Sequence, residues 1–177
     1  IRPSQKIAGL LCSAIISDSL LFKSPTSTDL DKMILGRLAA IAEIDPETFS
    51  NDMFKAGSSL EGETPEELLN QDFKAFNISE VKVGVGQIST MDTEGFTSVR
   101  KNIIKVMESK CKEENYGLIV LMVTDILKGG SELIAIGEKQ NVVSKAFNIT
   151  LTDNGAYIPG ILSRKKQVIP PLTAAMS

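Results

Sequence analysis

Histidine is absent from the 177 residues of this chain, and that absence removes a large share of ordinary enzyme chemistry. Without an imidazole there is no Ser/His or Cys/His pair to make an activated nucleophile. Cysteine is scarce as well. Cys12 and Cys111 stand in apolar or helical contexts without ligand-like spacing, which excludes a disulfide framework and points to reduced core thiols and a cytoplasmic home. Positive charge is not in surplus: 19 Lys and Arg against 22 Asp and Glu leave a net charge of −3. No long basic face exists to track a nucleic-acid backbone, so nucleic acid is not an expected partner. The longest apolar stretch, Leu118–Val123, is far shorter than the roughly 20 residues of a bilayer-spanning helix, so no membrane is expected either. Phosphate-cradling glycine motifs are also missing. Gly84-Val85-Gly86 has Ser89 where a dinucleotide fingerprint needs its third glycine, and no helix follows it directly.

What is present is ordinary in bulk and unusual in one place. With 42% apolar and 23% charged residues, a chain of this length can bury one good core or two small ones. Near its end, Ser163-Arg164-Lys165-Lys166-Gln167 lies between Pro159-Gly160 and Val168-Ile169-Pro170-Pro171. Three adjacent cations wedged between apolar residues are costly to fold unless an anion joins them. Arginine offers a planar fork that matches phosphate oxygens, and lysine adds compact point charges. The plainer reading is a solvated basic turn. On a regular strand Arg164 and Lys165 would face opposite ways, while Arg164 and Lys166 would share a side.

A second segment carries chemistry. Ile7, Leu10, Leu11, Ala14 and Ile15 recur at helical spacing, predicting a helix over about 5–17. Asp18 continues that stripe, so its carboxylate is expected to face the packed side, where it needs a cation, a metal or N–H donors. Alternatively, Asp18 caps a helix beginning at Leu20.

The rest of the chain divides by pattern. Residues 30–42 read as a helix capped by Thr28 or Asp29, with Met33, Ile34, Leu38 and Ile41 on one side. Asp45-Pro46-Glu47 starts another, burying Met53 and Phe54. Ala56-Gly57-Ser58-Ser59 breaks the pattern, and Thr64-Pro65-Glu66-Glu67 is a capping box that begins a short helix. Strands are expected over 80–89, 116–124 and 131–137, the second apolar throughout and covered on both faces. Gly129-Gly130 suggests a hairpin between the last two. Helices are expected from Asp92, carrying Phe96, Val99, Ile103, Val106 and Met107, and over 141–147; residues 158–169 should return as strand or extended loop. The alternation predicts an α/β fold with a mixed sheet flanked by helices.

These residues resemble a known family. The stretch from Ala8 to Thr26, containing Ile15-Ile16-Ser17-Asp18-Ser19-Leu20-Leu21-Phe22-Lys23-Ser24-Pro25, is similar to the last metal-binding motif of family II, manganese-dependent inorganic pyrophosphatases of the DHH phosphoesterase superfamily. Lys55-Ala56-Gly57-Ser58-Ser59-Leu60-Glu61-Gly62 resembles its interdomain linker, and residues 158–171 its C-terminal substrate-binding signature. The resemblance implies that 1–57 form the helical tail of an N-terminal α/β catalytic domain, 58–64 a hinge, and 65–177 a compact substrate-binding domain. It further implies that Asp18 is a metal ligand and that Lys74, Arg164 and Lys165 grip substrate phosphates, forming a cationic arm. The implied metal is manganese, with magnesium or cobalt as substitutes, and the implied substrate is pyrophosphate, split to two orthophosphates. The family's histidine ligands and Asp-His-His motif have no counterpart here. The chain is therefore expected to be the C-terminal part of a longer enzyme, homo-oligomeric through its upstream part and inactive in isolation. Two other readings stay open: another phosphoanhydride hydrolase, such as a short-chain exopolyphosphatase, or a phosphate-binding module without catalysis. Limited proteolysis should cut first within residues 57–64; early cleavage inside Leu118–Thr124 would count against that boundary.

Overall fold

Every residue of the strand Leu118–Asp125 (β3) is buried, because both faces of the sheet are covered at its centre. The computed structural model describes residues 2–57, 60, 62–91 and 93–177, in two compact units, 1–59 and 60–177.

The second unit is built on a five-stranded sheet in sequence order: β1 (Phe73–Ile78), β2 (Val81–Thr90), β3, β4 (Gly130–Ile136) and β5 (Gly155–Pro159). β2 and β3 pair in parallel and every other neighbouring pair is antiparallel. The expected hairpin joins β3 to β4, with Asp125 opposite Gly130. The sheet is mixed and flanked by helices, as the sequence predicts. Its parallel pair requires a crossover, which α5 (Thr93–Glu113) supplies. On one face Ile88, Ile119, Leu121, Val123 and Ile134 pack with Phe96, Ile103 and Met107 of α5. Leu68 and Leu69 of the short α4 (Pro65–Asn70) complete that layer. On the other face Val83, Val85, Val120, Met122 and Leu133 pack with Val143 of α6 (Asn141–Phe147) and Leu172 of α7 (Ile169–Met176). The expected Asp92 cap lies outside the described residues. Thr64 and Glu67 form the capping box, the Thr64 N–H donating to Glu67 Oε2 at 2.8 Å. Those bonds hold the Glu67 carboxyl below its ordinary range.

Two elements differ from expectation. Residues 73–78 form an edge strand that the mixed polar pattern Phe-Lys-Ala-Phe-Asn-Ile concealed. Residues 158–169 are neither one strand nor an extended loop: β5 ends at Pro159, a wide turn fills 164–168, and α7 follows. The two prolines suit α7 because they stand in its first turn, where N–H groups have no partner inside the helix.

The first unit holds α1 (Gln5–Ser19), α2 (Asp29–Ala42) and α3 (Pro46–Gly57). Thr28 caps α2 in a capping box with Asp31. Asp45 caps α3, accepting from the Thr48 N–H at 2.9 Å. The core is Ala8, Cys12, Ile16, Leu35, Leu38, Ala39 and Ala42, with Met53 and Phe54 half-buried against it. The packed side of α1 is thus not the side expected. Ile7 and Leu10 remain 49% and 67% exposed, and Met33 of α2 is exposed too. The small residues Ala8 and Cys12 let α1 approach α2 closely, and a stripe read on size alone picks the bulkier neighbours instead. Both cysteines are buried and unpaired, as expected.

Gly84 has the Phe73 ring seated where a Cβ would lie, and that ring also meets Tyr116 edge-on at 5.7 Å between centroids. Gly84→Ala should push the ring off this contact and destabilise the chain by about 1–3 kcal/mol in urea unfolding, the usual cost of overpacking.

Candidate functional site

The cationic run sits on an unusual backbone. After Pro159 the chain folds over the β3–β4 hairpin. Gly160 adopts φ +78° and donates its N–H to Gly129 O at 2.9 Å, and the Ser131 hydroxyl donates to Ile161 O at 2.6 Å. Arg164–Val168 then form a π-helical turn, closed by the Ile169 N–H on Arg164 O. Such turns are rare and concentrate at functional positions. The two polar residues flanking the cations hold it. Ser163 Oγ accepts from the Lys166 N–H at 3.3 Å. Gln167 Oε1 accepts from the N–H groups of Leu162 and Ser163 at 2.9 and 3.0 Å, and its amide donates to Gly160 O at 2.8 Å.

This geometry separates the three cations. Arg164 is 9% exposed, whereas Lys165 and Lys166 are exposed. The alternation of a regular strand, which would place Arg164 and Lys166 together, does not apply. Arg164 reaches across the sheet to a residue 92 positions earlier. One guanidinium nitrogen donates to Asp72 O at 2.7 Å and Val85 O at 3.2 Å; the other donates to Asp72 Oδ1 at 3.0 Å. Asp72 O also accepts the Gln87 N–H at 3.1 Å. Lys74, two residues along and facing Val85 in the ladder, brings its Nζ to 4.0 Å from the same Asp72 Oδ1. Arg164 and Lys74 therefore converge on one carboxylate oxygen. Nothing in the sequence signals Asp72: the link is visible only once β1 pairs with β2. Beside this group a polar row crosses the sheet, with the Gln87 amide 3.4 Å from Thr124 Oγ1 and that hydroxyl 3.0 Å from Ser131 Oγ.

Asp18 is placed differently. It lies in the last turn of α1, in the first unit, and its side chain is exposed, contrary to the expected packed orientation. The cause is the one given for α1: Ala8, Cys12, Ile16 and Ser19 face the core, and Asp18 follows the opposite side with Leu11. Nor does Asp18 cap a following helix. Leu20, Leu21 and Phe22 take φ values of +49°, +48° and +66°, three successive left-handed residues that L-amino acids avoid at roughly 1–2 kcal/mol each. The turn is braced by Ser19 Oγ, which accepts the Phe22 N–H at 3.2 Å, and by the Thr26 hydroxyl, which donates to Asp18 O at 3.2 Å. Strain of this kind persists only where the surroundings impose it, and functional sites are its usual place. Sequence reasoning had no signal for this turn, because leucine and phenylalanine are not the residues that favour it.

A divalent metal of the manganese type accepts carboxylate oxygen, so Asp18 has the right donor chemistry for one ligand. Among the described residues no group of three or more acidic or sulfur side chains could hold an ion.

Residues 51–175 match the family model of the DHHA2 domain, and the chain belongs to that family. Across 99% of its length it is 57% identical to a protein of Clostridium acetobutylicum assigned as a manganese-dependent inorganic pyrophosphatase, covering 57% of that protein. A cobalt-dependent inorganic pyrophosphatase of Clostridium perfringens is 50% identical over 98% of this chain and 32% of its own length. A crystal structure assigned to the family II inorganic pyrophosphatases, from Methanococcus jannaschii, superposes with a TM-score of 0.90 at 46% identity, over 99% of this chain and 57% of that one. The chain thus spans little more than half the length of these relatives or less. The resemblance read from the sequence is borne out. No described helix is long and apolar enough to cross a membrane.

The turn's dependence on Gln167 can be measured. Gln167→Ala strips the partner from two half-buried N–H groups and should cost about 1–3 kcal/mol. Gln167→Glu keeps the acceptor for both N–H groups but sets a carboxylate oxygen against the Gly160 carbonyl in place of the donor, so it should recover only part of that cost in the same thermal unfolding.

Proposed function

We propose that this chain acts as part of a metal-dependent hydrolase that splits pyrophosphate into two orthophosphates, supplying one metal ligand and the phosphate-binding cations. The observation that carries the reading is the gathering of Arg164 and Lys74 on one Asp72 oxygen, beside a locked turn that turns Lys165 outward. Manganese or cobalt, named in the relatives, would when bound activate water and neutralise phosphate oxygens. Asp18 would hold that ion as one charged oxygen donor, kept in place by the left-handed turn behind it. Lys74, Arg164 and Lys165 would neutralise the remaining phosphate oxygens, the leaving group's included, which lowers the cost of the charge that develops there. The guanidinium fork suits two oxygens at once, and the lysines act as point charges. A cytoplasmic location fits the two unpaired thiols, and homo-oligomerisation through other parts of a longer protein belongs to the same proposal. A second reading, an anion-binding module without catalysis, is favoured by the lack of any three-ligand metal group among the described residues.

Pyrophosphate should bind the 177-residue chain weakly, without manganese-dependent turnover. Lys74→Ala or Lys165→Ala should lower calorimetric affinity by roughly tenfold to a hundredfold, the worth of a charged hydrogen bond at about 1.5–3 kcal/mol. In a protein of the relatives' full length, Asp18→Asn should weaken metal binding and sharply reduce turnover. Unchanged metal affinity and rate would leave Asp18 without a ligand role. Faster turnover of tripolyphosphate than of pyrophosphate would move the substrate to longer phosphoanhydrides. Metal-saturated full-length protein that binds pyrophosphate and never cleaves it would favour the binding module.

A further inference from the structure

We propose that Asp72 is a built-in counter-anion that occupies the phosphate site until substrate replaces it. The inference rests on the reading of Lys74 and Arg164 as phosphate-binding cations and adds a residue that reading does not contain. Three observations point to it. Asp72 Oδ1 lies 3.0 Å from an Arg164 nitrogen and 4.0 Å from Lys74 Nζ, so one carboxylate oxygen stands where both cations aim. The Arg164 side chain is 10% exposed and the Asp72 side chain 47%, so the cation is the fixed partner and the carboxylate can swing into water. Arg164 also keeps two carbonyl contacts, Asp72 O and Val85 O, that do not involve the carboxylate.

The physical need is clear. A nearly buried guanidinium without a counter-charge is strongly destabilising, because taking one partner from a buried pair leaves an uncompensated charge. A site meant to bind an anion reversibly faces that penalty whenever it is empty. Asp72 removes it by supplying the anion from within the chain. When a phosphate oxygen arrives it takes the place of Asp72 Oδ1 on Arg164 and Lys74, and the carboxylate turns outward to solvent. The site stays neutralised in both states, and the affinity observed is the difference between phosphate and carboxylate as partners. The counter-anion thereby weakens binding, which favours release of orthophosphate after cleavage.

Isothermal titration of pyrophosphate into the 177-residue chain tests this. Asp72→Asn keeps an oxygen that can accept from Arg164 but removes the competing charge, so affinity should rise severalfold, on the order of three- to tenfold, with the same direction for inorganic phosphate. The far-ultraviolet circular dichroism of that variant should match the parent chain. If Asp72→Asn fails to fold, carbon-detected NMR of the unaltered chain decides: the Asp72 carboxyl carbon should shift together with the Arg164 guanidinium signals as pyrophosphate saturates. Affinity unchanged or weakened in folded Asp72→Asn, or an Asp72 carboxyl signal that stays still at saturation, would overturn the counter-anion role while leaving the cation site intact. A chain that binds no pyrophosphate, with Lys74→Ala and Lys165→Ala indistinguishable from it, would overturn the cation site and the counter-anion with it.

Discussion

Arg164 ties the end of the chain to the start of the sheet, and the arrangement of the candidate site depends on that tie. Its guanidinium donates to the carbonyls of Asp72 and Val85 and to the Asp72 carboxylate, binding β1, β2 and the π-helical turn at a single point. Arg164 points inward at the start of the wide turn, whose backbone continues into α7. That inward orientation leaves the next two positions outward, so the exposure of Lys165 and Lys166 follows from the burial of Arg164. One strong donor placed against three acceptors therefore sets the direction of its neighbours.

The two polar residues that bracket the cations matter for the same reason. A π-helical turn leaves backbone groups without their usual partners, and Gln167 and Ser163 return those partners through side chains. The run Ser-Arg-Lys-Lys-Gln is then a folding instruction as well as a charge cluster: its outer members shape the turn, and its middle members use it.

Much of this was legible beforehand. The apolar run at β3, the helical stripe of α5 and the capping box at Thr64 each follow from a local pattern with one physical solution. What escaped was non-local or edge-bound. β1 alternates imperfectly because it lies at the sheet edge, where only part of its surface is covered. Asp72 gains its role only when a strand pairing and a distant turn bring it to Arg164. The outward face of Asp18 was misjudged because bulky residues marked the wrong side of α1, where Ala8 and Cys12 make the close approach. The left-handed turn at Leu20–Phe22 runs against residue preference, so preference could not reveal it. Asp18 and Arg164 stand out in the residues themselves, Lys74 only through the resemblance, and the geometry supplied the surroundings of all three.

Lys74 belongs to an outermost strand, with its side chain 62% exposed. β1 and β5 are the two open margins of the sheet, and an open margin offers unpaired backbone groups to any extended chain that approaches. A charge on β1 and the missing N–H of Pro159 at the end of β5 both discourage such an approach. The lysine proposed to hold phosphate thus stands, solvated, where a charge discourages the addition of a further strand.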